Sequence, residues 1–463
     1  MKSLKSISTA LDTAHDYITF QNQIYSPFHV VASLKASLDT AGFRALALSD
    51  SWDNLEAGGG YYVIPQEQKS LIAFIVGAAP AVEAGVHMVA AHTDSPCLRL
   101  KLKPILGSIK DDYALLSTEV YGGLILRSFL DRPLQLGGML YERTYVGDHP
   151  SKGMQSMEGK GLPLFHEHLV HTPSAIAVIP DLAIHLDREK NAQGALNPEL
   201  CLRAILSSGR PSKTESIDDS LARVLGLQNS SFSGLAGFEL SLTSAYPSML
   251  AGLHQEFIVG PRHDDLAMVF AAQQALLAVR ESAKTPHKTA LVAFFDTEEC
   301  GSDNSAGAGS DLLKQILRRI VRGQGESAED SFQRSMQASF LLSADMAHAL
   351  HPLYKDKHDD NHRPVLNGGI VLKENANGRY ATSGYSMAVI QALCSDLGIP
   401  LQMFVNRQDH SCGSTVGPML ATNLGCRTAD IGIPMWAMHS SAETMGIAEL
   451  PQSITLFKAF FLL

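Results

Sequence analysis

What the chain lacks narrows it first. Its six cysteines, Cys97, Cys201, Cys300, Cys394, Cys412 and Cys426, are scattered with no CxxC pair among them. That excludes a disulfide-stapled secreted scaffold and predicts reduced thiols in a cytoplasm. Basic residues are too few for a nucleic-acid partner: 37 Lys and Arg against 47 Asp and Glu leave a formal charge of -10. Nor does the overall charge select an acidic substrate, so any such preference has to come from a local cation. The opening "MKSLKSISTALDTAHDYITF" has no apolar centre of the kind a secretory leader needs, and none is expected. The longest apolar region, "LIAFIVGAAPAVEAGVHMVAAH" (71–92), is interrupted by Pro80 and Glu83 well short of a membrane span. "ITLFKAFFLL" at the C-terminus is also too short to span and reads as a docked final helix, so no membrane partner is expected. There is no internal repeat and no low-complexity tail.

What is present is a globular composition, 45% apolar and 18% charged, over 463 residues, which is long enough for two domains. Five segments share one pattern, an apolar run closed by an acid or a histidine and then a turn. "VHMVAAHTD" delivers His92, "FIVGPRHDD" Asp264, "ALVAFFDTEE" Glu298 and Glu299, "SFLLSAD" Asp345 and "GIPMWAMH" His439. Helical periodicity follows some of them, as in "LAMVFAAQQALLAVRES" and "DLLKQILRRIVRG". Strands alternating with amphipathic helices predict an α/β domain with a mostly parallel sheet, whose ligand crevice lies at the carboxyl ends of the strands. Residues 101–247 read differently. "DYALLSTEVYGGLIL", "RPLQLGGMLYERTYV" and "AIAVIPDLAIHLDRE" look like strands, "NPELCLRAILSS" like a helix, and "GRPSKTESIDDS" like a polar connection. This segment is expected to be an inserted β-rich domain, leaving 1–100 and 248–463 as one discontinuous domain.

Each chemical element alone has a plainer reading. A lone histidine at a strand end is usually structural, paired glutamates usually start a solvated helix, and "HTD" offers good capping residues. The ordered set is more informative. Imidazole nitrogens and carboxylate oxygens are the ligands of hydrolytic zinc sites, and two metals about 3.5–4 Å apart need one shared carboxylate with further ligands on each side. His92, Asp264, Glu299, Asp345 and His439 meet that count, with Asp264 shared. Asp94, two residues after His92, is placed to accept the other imidazole N–H and fix its tautomer. Glu298 precedes a ligand and is placed to take a proton from water. His348, three residues beyond Asp345, belongs at the mouth of the crevice, whereas His358 and His362 read as part of a polar surface loop. "CGSTVGP" lacks the lysine and spacing of a phosphate loop and reads as a tight turn with N–H groups free for substrate.

The order HxD, D, EE, D, H resembles the dinuclear zinc exopeptidases with a phosphorylase/hydrolase-like core. More narrowly, "AAHTDSPCLRLK", "EVYGG", "LAIHL", "GPRHDDL", "DTEECGS", "SADMAHALHP", "KHDDNHRPVLNGGIVLKENANGRYAT", "CGSTVGP" and "AMHSSAE" resemble the aspartyl aminopeptidase family, from residue 90 to residue 443. The resemblance implies an α/β catalytic domain with an inserted β-rich dimerisation domain, and a tetrahedral dodecamer built from dimers. It implies two zinc ions per subunit, with cobalt or manganese as substitutes. One ion would be held by His92, Asp264 and Asp345, the other by Asp264, Glu299 and His439. The implied activity is removal of N-terminal aspartate and glutamate from peptides, with Glu298 as the general base. It also lifts Lys373, at the end of "GGIVL", into a substrate-binding role beside His348, and gives His185 of "LAIHL" a place in a neighbouring subunit's site. Two departures stand out. Asp265 occupies a place where the family commonly has asparagine, so either acid of the pair is available as the bridge, and the residues flanking the paired glutamates differ. The rival readings are an amidohydrolase or carboxypeptidase acting on acyl-amino acids, and a non-catalytic oligomeric scaffold; an intact Glu298 speaks against the scaffold.

Overall fold

The computed structural model describes residues 4–106, 113–143, 165–192, 194–208, 216–227, 231–282, 284–326 and 328–463. The chain divides into two compact units, one of residues 1–96 with 247–463 and the other of residues 97–246.

The first unit is built on a nine-stranded mixed sheet among the described residues. At its centre Thr289–Phe295, Val86–His92, Phe340–Ala344 and Arg427–Gly432 lie side by side, each parallel to the next. Thr289–Phe295, Val86–His92 and Phe340–Ala344 are mostly apolar because both faces are covered, as parallel strands require, whereas Arg427–Gly432 carries Arg427, Thr428 and Asp430. Alternation decides which side chain goes where: Ala290, Val292 and Phe294 enter one core, Leu291, Ala293 and Phe295 the other. The first core is closed by the helices Leu4–Gln21, Pro27–Thr40, His263–Arg280, Gly384–Leu397 and Glu449–Phe461. The second is closed by Leu312–Gly323 and Val416–Leu424. The C-terminal segment is thus a docked helix, with Leu456, Phe457, Phe460 and Phe461 buried. No described helix is long and apolar enough to cross a membrane.

A smaller five-stranded sheet in the same unit corrects the sequence reading in one respect. Phe257–Gly260 and Pro434–Trp436, the runs that precede Asp264 and His439, lie in this sheet and not in the large one. Glu443–Gly446 runs antiparallel to both, with Glu443 in register with Gly260. Apolar composition marks such runs as strands but does not say which sheet they join.

Among the described residues the second unit is a seven-stranded antiparallel sheet packed on its own apolar core. Two expectations within it fail. "AIAVIPDLAIHLDRE" contributes only the short strand Ala177–Val178, after which the chain turns, and His185 sits exposed in that turn. "NPELCLRAILSS" is a single helical turn, Pro198–Cys201, capped by Asn197, followed by the strand Ala204–Ser207. The pairing of Ala204–Ser207 with Ala114–Tyr121 overrides the local helical pattern. Of the polar stretch 209–220, residues 209–215 lie outside the described residues, as do 144–146 at the end of "RPLQLGGMLYERTYV".

Candidate metal centre

Three strands of the large sheet deliver acids or imidazoles at their carboxyl ends. His92 is the last residue of Val86–His92, Asp345 follows Phe340–Ala344, and Glu298 and Glu299 follow Thr289–Phe295 in a short 3-10 turn. Asp345 is reached by a close backbone approach: a Cβ on Gly432 would fall 1.9 Å from the Asp345 carbonyl oxygen. Asp264 opens the helix His263–Arg280, and His439 lies in the turn after Pro434–Trp436. Left-handed backbone recurs in these turns without glycine, at Arg262, Thr297 and His439 itself. Strain of this kind collects where a site fixes its side chains.

The side chains converge. His92 Nε2 lies 3.3 Å from one Asp264 oxygen, and His439 Nε2 lies 3.3 Å from the other. His439 Nε2 is also 3.3 Å from Glu299 Oε1. His92, Asp264, Asp265 and Asp345 form one group of donor atoms within 4.8 Å of one another, and Asp264, Glu299 and His439 form another. Asp264 belongs to both. His92, Asp264, Glu299, Asp345 and His439, with Glu298, His348 and Lys373, line one cavity of about 360 Å³.

The surroundings show how the donors are held. Asp94 stands against the His92 imidazole through both its carbonyl and its carboxylate. The imidazole Nδ1 lies 3.0 Å from the Asp94 main-chain carbonyl and 3.5 Å from its carboxylate. That carboxylate also accepts the main-chain N–H groups of Glu298 and Glu299, at 3.1 and 3.2 Å. Glu443, which the sequence did not mark, plays the matching part on the other side. One of its oxygens accepts the N–H of His439 at 2.7 Å, the other that of Asp264 at 3.1 Å. Asp265 accepts the N–H of His92 at 3.1 Å. Three buried carboxylates therefore grip the main chain at His92, Asp264, Glu298, Glu299 and His439. A further brace comes from the first helix, where the Tyr17 hydroxyl meets His263 Nδ1 at 2.8 Å and Gln21 donates to the Pro261 carbonyl.

Lys373 is 2% exposed and not a surface lysine. Its ammonium donates to the carbonyls of Asp345 and Met346 at 3.0 and 3.1 Å and lies 3.7 Å from the Asp345 carboxylate. His348 is exposed within the cavity lining, its ring edge-on to Phe404. "CGSTVGP" contributes Gly413, Ser414 and Thr415 to the same lining, and Thr415 caps the helix Val416–Leu424. His358 and His362 stay in their loop, where His358 accepts the His351 N–H and His362 pairs with Asp359; neither joins a donor group among the described residues. His185 belongs to the second unit.

The donor set fits divalent cations. Oδ1 of Asp264 and Oε1 of Glu299 are buried without a hydrogen bond, although an imidazole nitrogen stands 3.3 Å from each. In this arrangement protons carry the balancing charge. Burial, and then the charges of Asp345, Glu299 and Asp264 against the pull of His92, push the Glu298 carboxyl up to about 9. Burial pushes Glu299 up to about 7 against its contact with His439, and Asp345 up to about 6 against Lys373. Burial resists charge on His439, yet Asp264 and Glu299 carry it up to about 11. Asp264, though buried, is held well below the usual carboxylate range by the two imidazoles. Cations bound here would displace such protons.

The family model described as Aminopeptidase I zinc metalloprotease (M18) matches residues 20–461. The chain belongs to the M18 family of zinc metalloaminopeptidases. It is 40% identical over 437 residues to a probable M18 family aminopeptidase 2 of Stutzerimonas stutzeri, covering 94% of this chain and 95% of that one. Among solved structures it is similar to the chain described in the cryo-EM structure of the Ape4 and Nbr1 complex, with a TM-score of 0.90, 33% identity and coverage of 100% and 87%. It is also similar to the S. cerevisiae mApe1 dodecamer, with a TM-score of 0.79, 26% identity and coverage of 97% and 96%. The M18 membership makes the chain a hydrolase and accounts for an imidazole-and-carboxylate donor set suited to zinc.

Proposed function

We propose that this M18 enzyme removes N-terminal aspartate and glutamate from peptides at a centre of two zinc ions, as a cytoplasmic dodecamer assembled from dimers. The observation that carries the substrate reading is Lys373, a buried ammonium in a cavity crowded with carboxylates, in a chain of net charge -10. Two of its three donors are taken by main-chain carbonyls, and the third, with the Asp345 carboxylate 3.7 Å away, is the one a substrate carboxylate would engage. Losing one partner of a desolvated charge pair costs about 2–5 kcal/mol, so this contact is enough to set aspartate apart from its uncharged isostere by decades. His348 flanks the same space.

The overlapping donor groups support the two-ion reading. His92, Asp264 and Asp345 would hold one ion, Asp264, Glu299 and His439 the other. When bound, the pair supplies Lewis-acid polarisation of the scissile carbonyl and of the attacking water. Glu298, which lines the same cavity beside these donors, would take the proton of that water and hand it to the departing amine. Asp94 keeps Glu298 and Glu299 in place through their main-chain N–H groups. The dodecamer described for the S. cerevisiae relative supports assembly, with residues 97–246 as the oligomerisation domain. Around His185, the exposed Leu182, Ile184 and Leu186 suit burial against another subunit, which would carry this histidine to a neighbour's centre.

Lys373→Met tests the substrate reading on paired aspartyl and asparaginyl anilides. The ratio of their kcat/KM is expected to fall by more than about tenfold. Zinc content is measured on the same sample, because the ammonium also holds the Asp345 carbonyl. An unchanged ratio with zinc retained removes Lys373 from specificity.

A further inference from the structure

Beside the metal centre lies a second cavity of about 840 Å³, within the size range of ligand sites. Its walls follow from the sheet. Ile370–Glu374 and Leu401–Val405 pair in parallel, with Glu374 opposite Val405. Both chains leave the sheet at their carboxyl ends, into turns that line the cavity from Asn375 to Arg379 and from Asn406 to Cys412. Lys373, in the first cavity, is the residue immediately before Glu374. The second cavity therefore continues the crevice at the strand ends towards the sheet edge.

The two spaces meet at Ser414, which lines both and whose hydroxyl donates to the Arg379 carbonyl at 3.0 Å. On either side of that junction the lining alternates. Tyr380 and Gly413 belong to the first cavity, Arg379 and Cys412 to the second.

Its chemistry differs from that of the metal centre. Arg379, Arg407 and His410 line it together with one acid, Glu374. Arg407 is already committed to both carboxylate oxygens of Asp409, at 2.8 and 2.6 Å. Arg379 is exposed and makes no hydrogen bond or ion pair with its side chain among the described residues. Asn406 is spent bracing its own turn, through the carbonyls of Arg407 and His410. The side chain of Gln408 remains, with that of Asn377, as a carboxamide suited to a peptide main chain.

We propose that this second cavity receives the part of the peptide downstream of the scissile bond, and that Arg379 pairs there with a carboxylate. The proposal rests on the aminopeptidase reading above and deepens it, defining the substrate as a short peptide with a second negative charge. That charge is either the free C-terminus or an acidic side chain beyond the cleaved bond, and both present the same group to a guanidinium.

Three peptides on the full-length zinc enzyme test it: Asp-Ala-Ala as the free acid, the same peptide as the amide, and Asp-Ala-Asp as the amide. A gain in kcat/KM of about tenfold over the neutral amide is expected from a charge-assisted contact, shrinking as salt is raised. A gain for the free acid alone identifies the C-terminus as the source, and a gain for the internal aspartate alone identifies the side chain. Arg379→Gln, a substitution at an exposed turn, is expected to bring all three within about twofold of one another. The proposal is overturned if the wild-type enzyme treats the three alike, or if Arg379→Gln leaves the gap intact. The aspartyl-to-asparaginyl ratio on anilides, which have no downstream peptide, reads the Lys373 pocket alone. A failure there sinks the acidic N-terminal preference without closing the gap among the three peptides.

Discussion

At the scale of single residues, the centre separates groups that hold from groups that react. Glu298 lies within a third donor group with His92 and Glu299 but outside the ligand sets proposed for the two ions, so Glu298→Gln is expected to keep its metal and lose turnover by about 10²–10⁴-fold. His439→Ala removes a donor from the group it shares with Asp264 and Glu299 and is expected to lose zinc. Metal analysis beside kcat checks both; near wild-type turnover in the glutamine variant at full zinc would end the assignment of Glu298. The donor positions were legible in the sequence because each closes an apolar run, a pattern that survives without alignment. What was not legible was the carboxylates that grip main chain. Glu443 lies inside the quoted segment "AMHSSAE", but nothing there says that it grips main chain; that role comes from strand pairing, which sets it beside Gly260. Asp94 was visible, but a spacing of two residues does not say whether an imidazole will meet the side chain or the carbonyl.

At the scale of elements, the three central strands that end at His92, Phe295 and Ala344 were readable from their apolar runs, while Arg427–Gly432, with its arginine and aspartate, and the short elements of the second unit were not. A two-residue strand such as Ala177–Val178 has too little pattern to announce itself, and the one-turn helix before Ala204 borrows its shape from a cap. The join between sheet and final helix carries a pH dependence of its own. His87, in the strand that ends at His92, stacks on Phe460 with ring centroids 4.4 Å apart. Burial, helped by Lys288, pulls its imidazole from 6.5 down to about 4. The unfolded chain therefore takes up this proton first as the pH falls. Stability present above about 6.5 is lost as the pH drops through about 4. The loss amounts to about 3–4 kcal/mol at most, taking about 1.4 kcal/mol for each tenfold change in proton affinity. Urea unfolding at pH 7.5 and 5.5 is expected to show a smaller difference for His87→Leu than for the wild type; equal differences would remove His87 as the cause.

At the scale of the whole molecule, the proposed assembly makes each centre depend on a neighbour. Mixing two inactive forms, Glu298→Gln and His185→Ala, is expected to restore part of the activity once subunits exchange, because some centres then combine an intact Glu298 with an intact His185. No recovery after exchange has been demonstrated by mass would leave His185 without a part in catalysis. The three carboxylates that hold the main chain of the donors have a consequence for the life of the enzyme. The distances between donors are written into the backbone and do not have to be imposed by the ion. A centre stripped by a chelator would keep its outline and refill without refolding. Which divalent ion it carries would then follow from what the surrounding medium supplies, more than from any fine selection by the protein.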